Sequence, residues 1–418
     1  MQIKEALDKL FSLHKFGVKL GLENIENFLA VLGNPQDSLK TFHIAGTNGK
    51  GSTSSFIASI LTEAGYKTGL YTSPHFVKFN ERVKIANKQI DDEFITDFFT
   101  EHYDYIMANG LTFFEVTTAI AFQYFKINNV DYAVIETGLG GRLDATNVLK
   151  PMASVITSIS LEHTSILGNT YAEIAAEKAG IIKPGKNVFI GRLNDEARET
   201  IKQKCALQNA NLYEIKNYVN GIDDKLSFKN NKVIVDSLVS PLRGEYQRYN
   251  AALAVLAVTE TLEINEAAVI KKGLENVSIN TGLECRFENY SDKPRVIFES
   301  AHNPEGITVF IKEFIKDSSL YKKRTLLFGV MRDKSVEEML KMLAPCFDQI
   351  VFTSIQYDRC ATIEELQSMA QKVEIKAAEA SEPDLFIKEF IKNADSEECL
   401  VVLGSMYVLG EIKTRFSK

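Results

Sequence analysis

The chain has 418 residues, enough for two or more domains with well-formed cores. Hydrophobic residues make up 45% and charged residues 25%, an ordinary globular balance, and no run approaches the ~18 apolar residues of a membrane span. A net charge of −7 argues against bulk nucleic-acid or membrane-surface binding as the main task.

The N-terminal residues lack a signal-peptide apolar core. Five cysteines (Cys205, Cys285, Cys346, Cys360, Cys399) are scattered and never spaced as Cys-x-x-Cys, which suits reduced thiols in a cytoplasm. Residues 3–32 read as two amphipathic helical stretches around 15–21. A strand is expected at 42–45, then Gly46-Thr47-Asn48-Gly49-Lys50-Gly51-Ser52, then a helix over 53–61 that stops near Gly65. Strand, glycine-rich turn and helix N-terminus together make a phosphate-binding geometry: backbone N–H groups approach the anion and the helix dipole adds partial positive charge.

The spelling departs from the ordinary nucleotide-binding loop. Ile44 stands where the first glycine belongs and Gly51 where Ser or Thr follows the lysine, so only a shorter Gly-Thr-Asn-Gly-Lys-Gly-Ser loop is intact. Within it Lys50 is expected to reach the terminal phosphates and Ser52 to sit near a magnesium ion.

A second strand at 67–71 runs into Thr72-Ser73-Pro74-His75, and helices are expected over 91–107 and 115–125. The apolar run 131–136 reads as a strand ending in Glu136, followed by the long loop Thr137-Gly138-Leu139-Gly140-Gly141-Arg142-Leu143-Asp144-Ala145-Thr146-Asn147. A strand at 154–159, a loop at 160–168, a helix at 171–180 and a strand at 187–191 come next. Strands alternating with helices imply a mostly parallel sheet covered on both faces, with functional loops at the carboxyl ends of the strands.

Residues 211–240 are irregular, with a hairpin expected near 232–235, and 247–262 is a helix. A boundary falls near 281–283. Beyond it strands are expected near 295–299, 325–329, 349–354, 373–377 and 399–403 with helices between, a second α/β domain of Rossmann-like type. The domains are therefore expected at 1–282 and 283–418.

A nucleoside triphosphate brings magnesium, which takes a few oxygen ligands besides phosphate and water. Glu136 is the best candidate carboxylate, or else a helix cap. Ser73 offers a hydroxyl, though on spacing alone it reads more readily as a simple Ser-Pro turn. His163 follows another strand end, expected beside that of Glu136, and is structural or functional on even terms. Lys178, on a small and apolar helix face, reads otherwise as a solvated helical lysine. Arg286 sits at the domain boundary, either a phosphate contact or a salt bridge, and Glu299-Ser300-Ala301-His302-Asn303-Pro304 follows an apolar strand.

These segments, with Glu177-Lys178-Ala179-Gly180-Ile181-Ile182-Lys183 and Gly404-Ser405-Met406-Tyr407, resemble folylpolyglutamate synthase/dihydrofolate synthase, a branch of the Mur-type ATP-dependent amide ligases. The resemblance runs in order through essentially the whole chain. It implies a Mur-ligase-type nucleotide domain with a mostly parallel sheet and a smaller C-terminal ligase domain. By it Gly49, Lys50, Gly51 and Ser52 hold ATP phosphates; Asn250, Arg286 and Glu299 touch the nucleotide; and Ser73, Glu136 and His163 match magnesium ligands. Lys178 matches a lysine that is carbamylated in the family and holds a second magnesium. Thr112, Phe113 and Phe114, with Leu143, Asp144 and Ala145, match segments that bind pteroate, Asp144 being expected to bond the pterin ring. Three residues depart from the family: Glu299 and Glu162 stand in place of Asp, and Tyr246 in place of His.

The activity implied is carboxylate activation. A folate carboxylate attacks the γ-phosphate of ATP, and the amine of L-glutamate captures the acyl phosphate. The catalytic set is then Lys50, His163, carbamylated Lys178 and Arg286, stabilising the transferring charge, with closure of the second domain over ATP excluding water. The expected enzyme is a cytoplasmic monomer acting on small molecules. The alternatives are a Mur-type cell-wall amino-acid ligase, and a non-catalytic ATP-binding module.

Overall fold

The computed structural model describes residues 2–17, 21–222 and 225–416. Part of the expected connection at 15–21 lies outside them. The chain forms two units. One comprises residues to Pro74, Phe79–Pro241 and Gln247–Leu283; the other comprises His75–Lys78, Leu242–Tyr246 and the chain from Glu284 onward.

The first unit is built on an eight-stranded sheet: β1 Thr41–Ala45, β2 Thr68–Tyr71, β3 Val83–Ile85, β4 Lys88–Gln89, β5 Tyr132–Glu136, β6 Ala153–Ile156, β7 Asn187–Ile190 and β8 Asn211–Glu214. Its spatial order is β4-β3-β2-β5-β1-β6-β7-β8. All pairs from β2 to β8 are parallel, while β3 and β4 add an antiparallel edge. β1 is central and every one of its residues is buried, as a strand covered on both faces requires.

Helix Lys50–Glu63 leaves β1 and is apolar or small on nearly all sides. Helices Ala267–Glu275 and Val277–Thr281, not expected from the sequence, pack on it, and Ser59 Oγ donates to Gly273 O at 2.6 Å. Helix Phe113–Ile127 is fixed at its start by a reciprocal cap: Glu115 N donates to Thr112 Oγ1 and Thr112 N to Glu115 Oε2 at 2.7 Å. With helices Ile3–Ser12, Glu23–Val31 and Asp92–Asn109 it encloses an aromatic-rich core on one side of the sheet.

Residues 211–240 contain the expected hairpin near 232–235 but are more regular around it than expected. Asn211–Glu214 joins the main sheet as its edge, and the rest forms a separate antiparallel sheet of β9 Val219–Ile222, β10 Lys225–Lys229 and β11 Ile234–Val235. An edge strand needs apolar residues on one face only, and here Leu212 packs into a core while Tyr213 stacks on Phe189, too short a pattern to announce a strand.

The second unit has a six-stranded sheet: β12 Glu288–Asp292, β13 Arg295–Glu299, β14 Lys323–Phe328, β15 Gln349–Phe352, β16 Ala378–Glu379 and β17 Glu398–Leu403, ordered β12-β13-β17-β14-β15-β16. Only β12–β13 is antiparallel. The strand expected at 373–377 lies further on, at Ala378–Glu379. Two short segments from earlier in the chain belong here: Arg243 pairs with Glu313 and Asp317, and the Phe76 backbone lies against Gly410. No described helix is long and apolar enough to cross a membrane.

Candidate nucleotide and folate site

The phosphate loop is fastened to the loop after β6. Thr47 N donates to Ser158 O and Asn48 N to Ser158 Oγ, both at 2.9 Å; Thr157 Oγ1 donates to Asn48 O at 2.6 Å; and Ser160 N donates to Thr47 Oγ1 at 3.0 Å. Thr157, Ser158 and Ser160 went unremarked in the sequence, where the only signal was a polar run just after a strand. Gly49 caps helix Lys50–Glu63 in a left-handed conformation (φ 84°) with no side-chain cap, so the first helical N–H groups face the loop's concavity. A Cβ at Gly49 would strike the amide of Asn250, which is itself held by Gln247 Oε1 at 3.1 Å. The Asn250 side chain therefore lies directly on the phosphate loop. Beside it Arg192 stacks on the Tyr249 ring at 4.6 Å.

Lys50 Nζ donates to Gly46 O and Thr47 O, both at 3.1 Å. Lys178 Nζ donates to the same Gly46 O at 2.9 Å. Lys178 is buried, not the solvated lysine its helix suggested. Burial, helped by the nearby Lys50 charge, lowers its pKa to about 7, so much of the amine is uncharged at neutral pH.

Ser73 and Glu136 come together on neighbouring strand ends: Ser73 N donates to Glu136 Oε2 at 3.3 Å, and Glu136 is buried. His163 is exposed on the loop after β6, in a left-handed conformation (φ 51°) at the start of the short helix Thr164–Leu167. Its strand does not adjoin that of Glu136 as expected, because β1 lies between β5 and β6. Among the described residues no three His, Cys, Asp or Glu side chains converge; the expected ligands are instead one hydroxyl, one carboxylate and one imidazole.

The loop after β5 is organised from inside by Asp144. Its Oδ2 accepts from Gly138 N (2.8 Å) and Leu139 N (2.9 Å), and its Oδ1 from Thr146 N (3.0 Å) and from Thr146 Oγ1. Four donors fill the acceptor sites of a carboxylate. The expected bond from Asp144 to a pterin ring thus needs one of them to give way. Burial raises the Asp144 pKa against these hydrogen bonds, which lower it.

The same loop is locked to the end of helix Tyr171–Lys178. Arg142 N donates to Glu177 O at 2.7 Å, and Arg142 Nε and Nη2 reach Glu177 Oε1 at 3.0 and 2.8 Å. Asn147 Nδ2 bridges Arg142 O and Gly180 O at 2.9 and 3.2 Å, and Lys183 Nζ donates to Asn147 O at 2.9 Å. A Cβ at Gly180 would collide with the Arg142 backbone, so only glycine permits this approach.

Thr112 is occupied by its helix cap, while Phe113 and Phe114 extend an aromatic surface. The Phe114 ring covers Gly138 and lies 6.2 Å from Tyr71. Phe113 stacks on His14 (4.4 Å) and Phe11 (5.6 Å) and receives the Arg82 guanidinium at 5.1 Å. Phe11, His14 and Arg82 carry no sequence signal for this, since they come from distant segments. Leu143 and Ala145 flank Asp144, with Ala145 buried.

In the second unit Arg286 Nη1 donates to Ser300 Oγ. Glu299 is buried and both its oxygens accept backbone N–H groups, from Phe287 and Ala301, each at 2.8 Å. It ties the Arg286 loop to the end of β13. Burial raises its pKa, opposed by the Arg286 charge. His302 Nδ1 lies 2.9 Å from Ser300 O, and Asn303 caps helix Pro304–Ser318.

This chain matches the family description Mur ligase middle domain over residues 44–258 and Mur ligase, glutamate ligase domain over 285–406. It is 35% identical to the dihydrofolate synthase/folylpolyglutamate synthase of Bacillus subtilis, over 96% of each chain. The chain belongs to the Mur ligases, in their folate-synthase branch. A second relative, the Escherichia coli dihydrofolate synthase/folylpolyglutamate synthase, is 32% identical over 97% of this chain and 93% of its own. Among solved structures, E. coli FolC in complex with DHPP and ADP superposes with a TM-score of 0.88 at 29% identity, covering 100% of this chain and 98% of that one. The Yersinia pestis bifunctional enzyme with Mn, AMPPNP and L-glutamate bound gives 0.86 at 27% identity, covering 100% of both. For this Mur ligase the phosphate loop, Ser73, Glu136, His163, Lys178 and Asn250 all lie in the first unit, and Arg286 and Glu299 in the second.

Proposed function

We propose that this Mur ligase joins L-glutamate to dihydropteroate, to reduced folates, or to both, at the expense of ATP. The observation that carries the reading is the meeting of Lys50 and buried Lys178 on one carbonyl, Gly46 O, inside a phosphate loop. The relatives' names and bound ligands support the substrate class: DHPP, ADP, AMPPNP, Mn and L-glutamate occur in homologous structures.

In this reading the helix N-terminus after Gly49 receives the phosphates of ATP, and Gly51 and Ser52 contribute their N–H groups. Lys50 exchanges its loop carbonyls for phosphate oxygens and neutralises the charge that builds up on transfer. Asn250 contacts the nucleotide from above Gly49, and Arg286 and Glu299 are further nucleotide contacts. The aromatic surface around Phe113 and Phe114, with Thr112, Leu143, Asp144 and Ala145, receives the pteroate.

The donor set fits magnesium: Glu136 is a buried carboxylate at a strand end with Ser73 beside it, and these are hard oxygen donors. Ser73, Glu136 and His163 would hold one ion and carbamylated Lys178 a second, together supplying charge neutralisation on the phosphate oxygens. An uncharged Lys178 amine is the form that adds carbon dioxide, and its low pKa favours that form. The folate carboxylate oxygen then attacks the γ-phosphorus as ADP leaves, and the glutamate amine attacks the acyl carbon as phosphate leaves. Both steps depend on holding reactants at near-attack distance in a site that excludes water.

The test is ADP release across a substrate panel with L-glutamate: dihydropteroate, tetrahydrofolate, and a UDP-linked cell-wall precursor. Glutamate-dependent release with either folate is expected. Release with the UDP-linked precursor alone would make the protein a cell-wall ligase, and nucleotide binding without turnover would make it a non-catalytic module.

A further inference from the structure

His43 lies on the central strand β1, three residues before the phosphate loop, and is fully buried. Its Nε2 is 2.8 Å from Thr146 Oγ1, and that hydroxyl donates to Asp144 Oδ1. Asp144 also takes the N–H groups of Gly138, Leu139 and Thr146, so both its oxygens act as acceptors. The single hydroxyl proton of Thr146 is therefore committed to Asp144, and only its lone pairs face the imidazole. His43 must carry its proton on Nε2 and donate. Its Nδ1 is left buried without a partner. On a strand flanked by Phe42 and Ile44, an apolar side chain would fill this place with no polar atom to satisfy. The imidazole is explained by the one bond it makes.

We infer that His43, Thr146 and Asp144 form a buried hydrogen-bond chain that registers the loop after β5 against the phosphate loop. They act as positioning residues for the folate substrate. The inference rests on the reading that this loop binds pteroate. One end of the chain is the strand that carries Gly46 and Lys50; the other is the carboxylate that gathers Gly138 and Leu139. Transfer needs the substrate carboxylate held at about 3–3.5 Å from the phosphorus. A loop without this bond would keep Thr137 N on Ile44 O and would still fold against Glu177 and Gly180 through Arg142 and Asn147, but with its substrate-facing part unregistered.

The experiment compares Thr146→Val, which keeps the shape and removes the hydroxyl, with Thr146→Ser, which restores it, and with His43→Leu. Steady-state KM is measured separately for dihydropteroate and ATP, with Leu143→Ala as the control for the loop itself. Thr146→Val and His43→Leu are expected to raise the dihydropteroate KM about tenfold, the worth of one hydrogen bond, with the ATP KM held within about twofold. Thr146→Ser should recover most of the loss. In nitrogen-15 spectra of the whole enzyme, His43 should report a protonated Nε2 and a bare Nδ1. Equal rises in both KM values, or no rise in either with the Leu143→Ala value raised, would overturn the chain while leaving the folate loop standing. An unchanged dihydropteroate KM in Leu143→Ala would overturn the loop assignment, and the inference with it.

Discussion

Two glycine-rich loops leave neighbouring strands, β1 and β5, and use their backbone amides in opposite ways. The phosphate loop ends on Gly49 with no side-chain cap, so the helix it starts keeps its first N–H groups for an incoming anion. The loop after β5 turns its amides inward, where Asp144 consumes those of Gly138, Leu139 and Thr146. Apart from the amides of Thr47 and Asn48, which donate to Ser158, the first loop leaves its donors at the helix start. The other is a self-satisfied frame that offers side chains and shape. Glycine content alone does not distinguish a ligand cradle from a scaffold; the location of the nearest carboxylate does.

The contrast is broken most severely at its charged centre. Lys50→Ala removes the cation proposed to face the phosphates and is expected to lower kcat/KM by about a thousandfold, read by ADP release. Lys178→Ala should cost about a hundredfold or more, and native-state mass spectrometry of the parent in bicarbonate should find added carbon dioxide that Lys178→Arg lacks. Asp144→Ala removes the acceptor of the Gly138, Leu139 and Thr146 N–H groups, of which that of Thr146 is buried, and should lower unfolding free energy by about 2 kcal/mol in urea, leaving nucleotide affinity nearly intact.

The gentlest probe is acidity. Burial disfavours the charged form of His43 and lowers its pKa from the ordinary 6.5 to about 3 in the folded chain. The unfolded chain therefore binds a proton that the folded one refuses, and stability falls as pH drops below 6.5. Between about pH 7 and pH 5 this group alone should account for about 2 kcal/mol, a difference that His43→Leu abolishes in parallel urea titrations.

Much of the first loop was legible because its signal is local: strand, glycines, lysine and helix stand consecutively. The carboxyl ends of β2, β5 and β6 were legible for the same reason, and Ser73 and Glu136 do meet. What was hidden depends on sheet order. His163 was expected beside Glu136, but β1 comes between their strands, and no local pattern encodes that order. Asp144 was expected at the pterin by resemblance alone; the four donors it gathers within its own loop follow no local pattern. Thr157, Ser158 and Ser160 were passed over since hydroxyls that fasten a distant loop carry no spacing of their own. Lys178 read from its helix as a solvated lysine and is buried, although its small and apolar neighbours were visible.

The mutual approach of Arg142 and Gly180 has a practical consequence for engineering. Because the chain around each leaves no room for a larger partner, the two segments can be exchanged only as a pair. A graft meant to change folate preference must carry the turn from Glu177 to Lys183 along with the loop it steadies, or the donor loop will arrive without its socket.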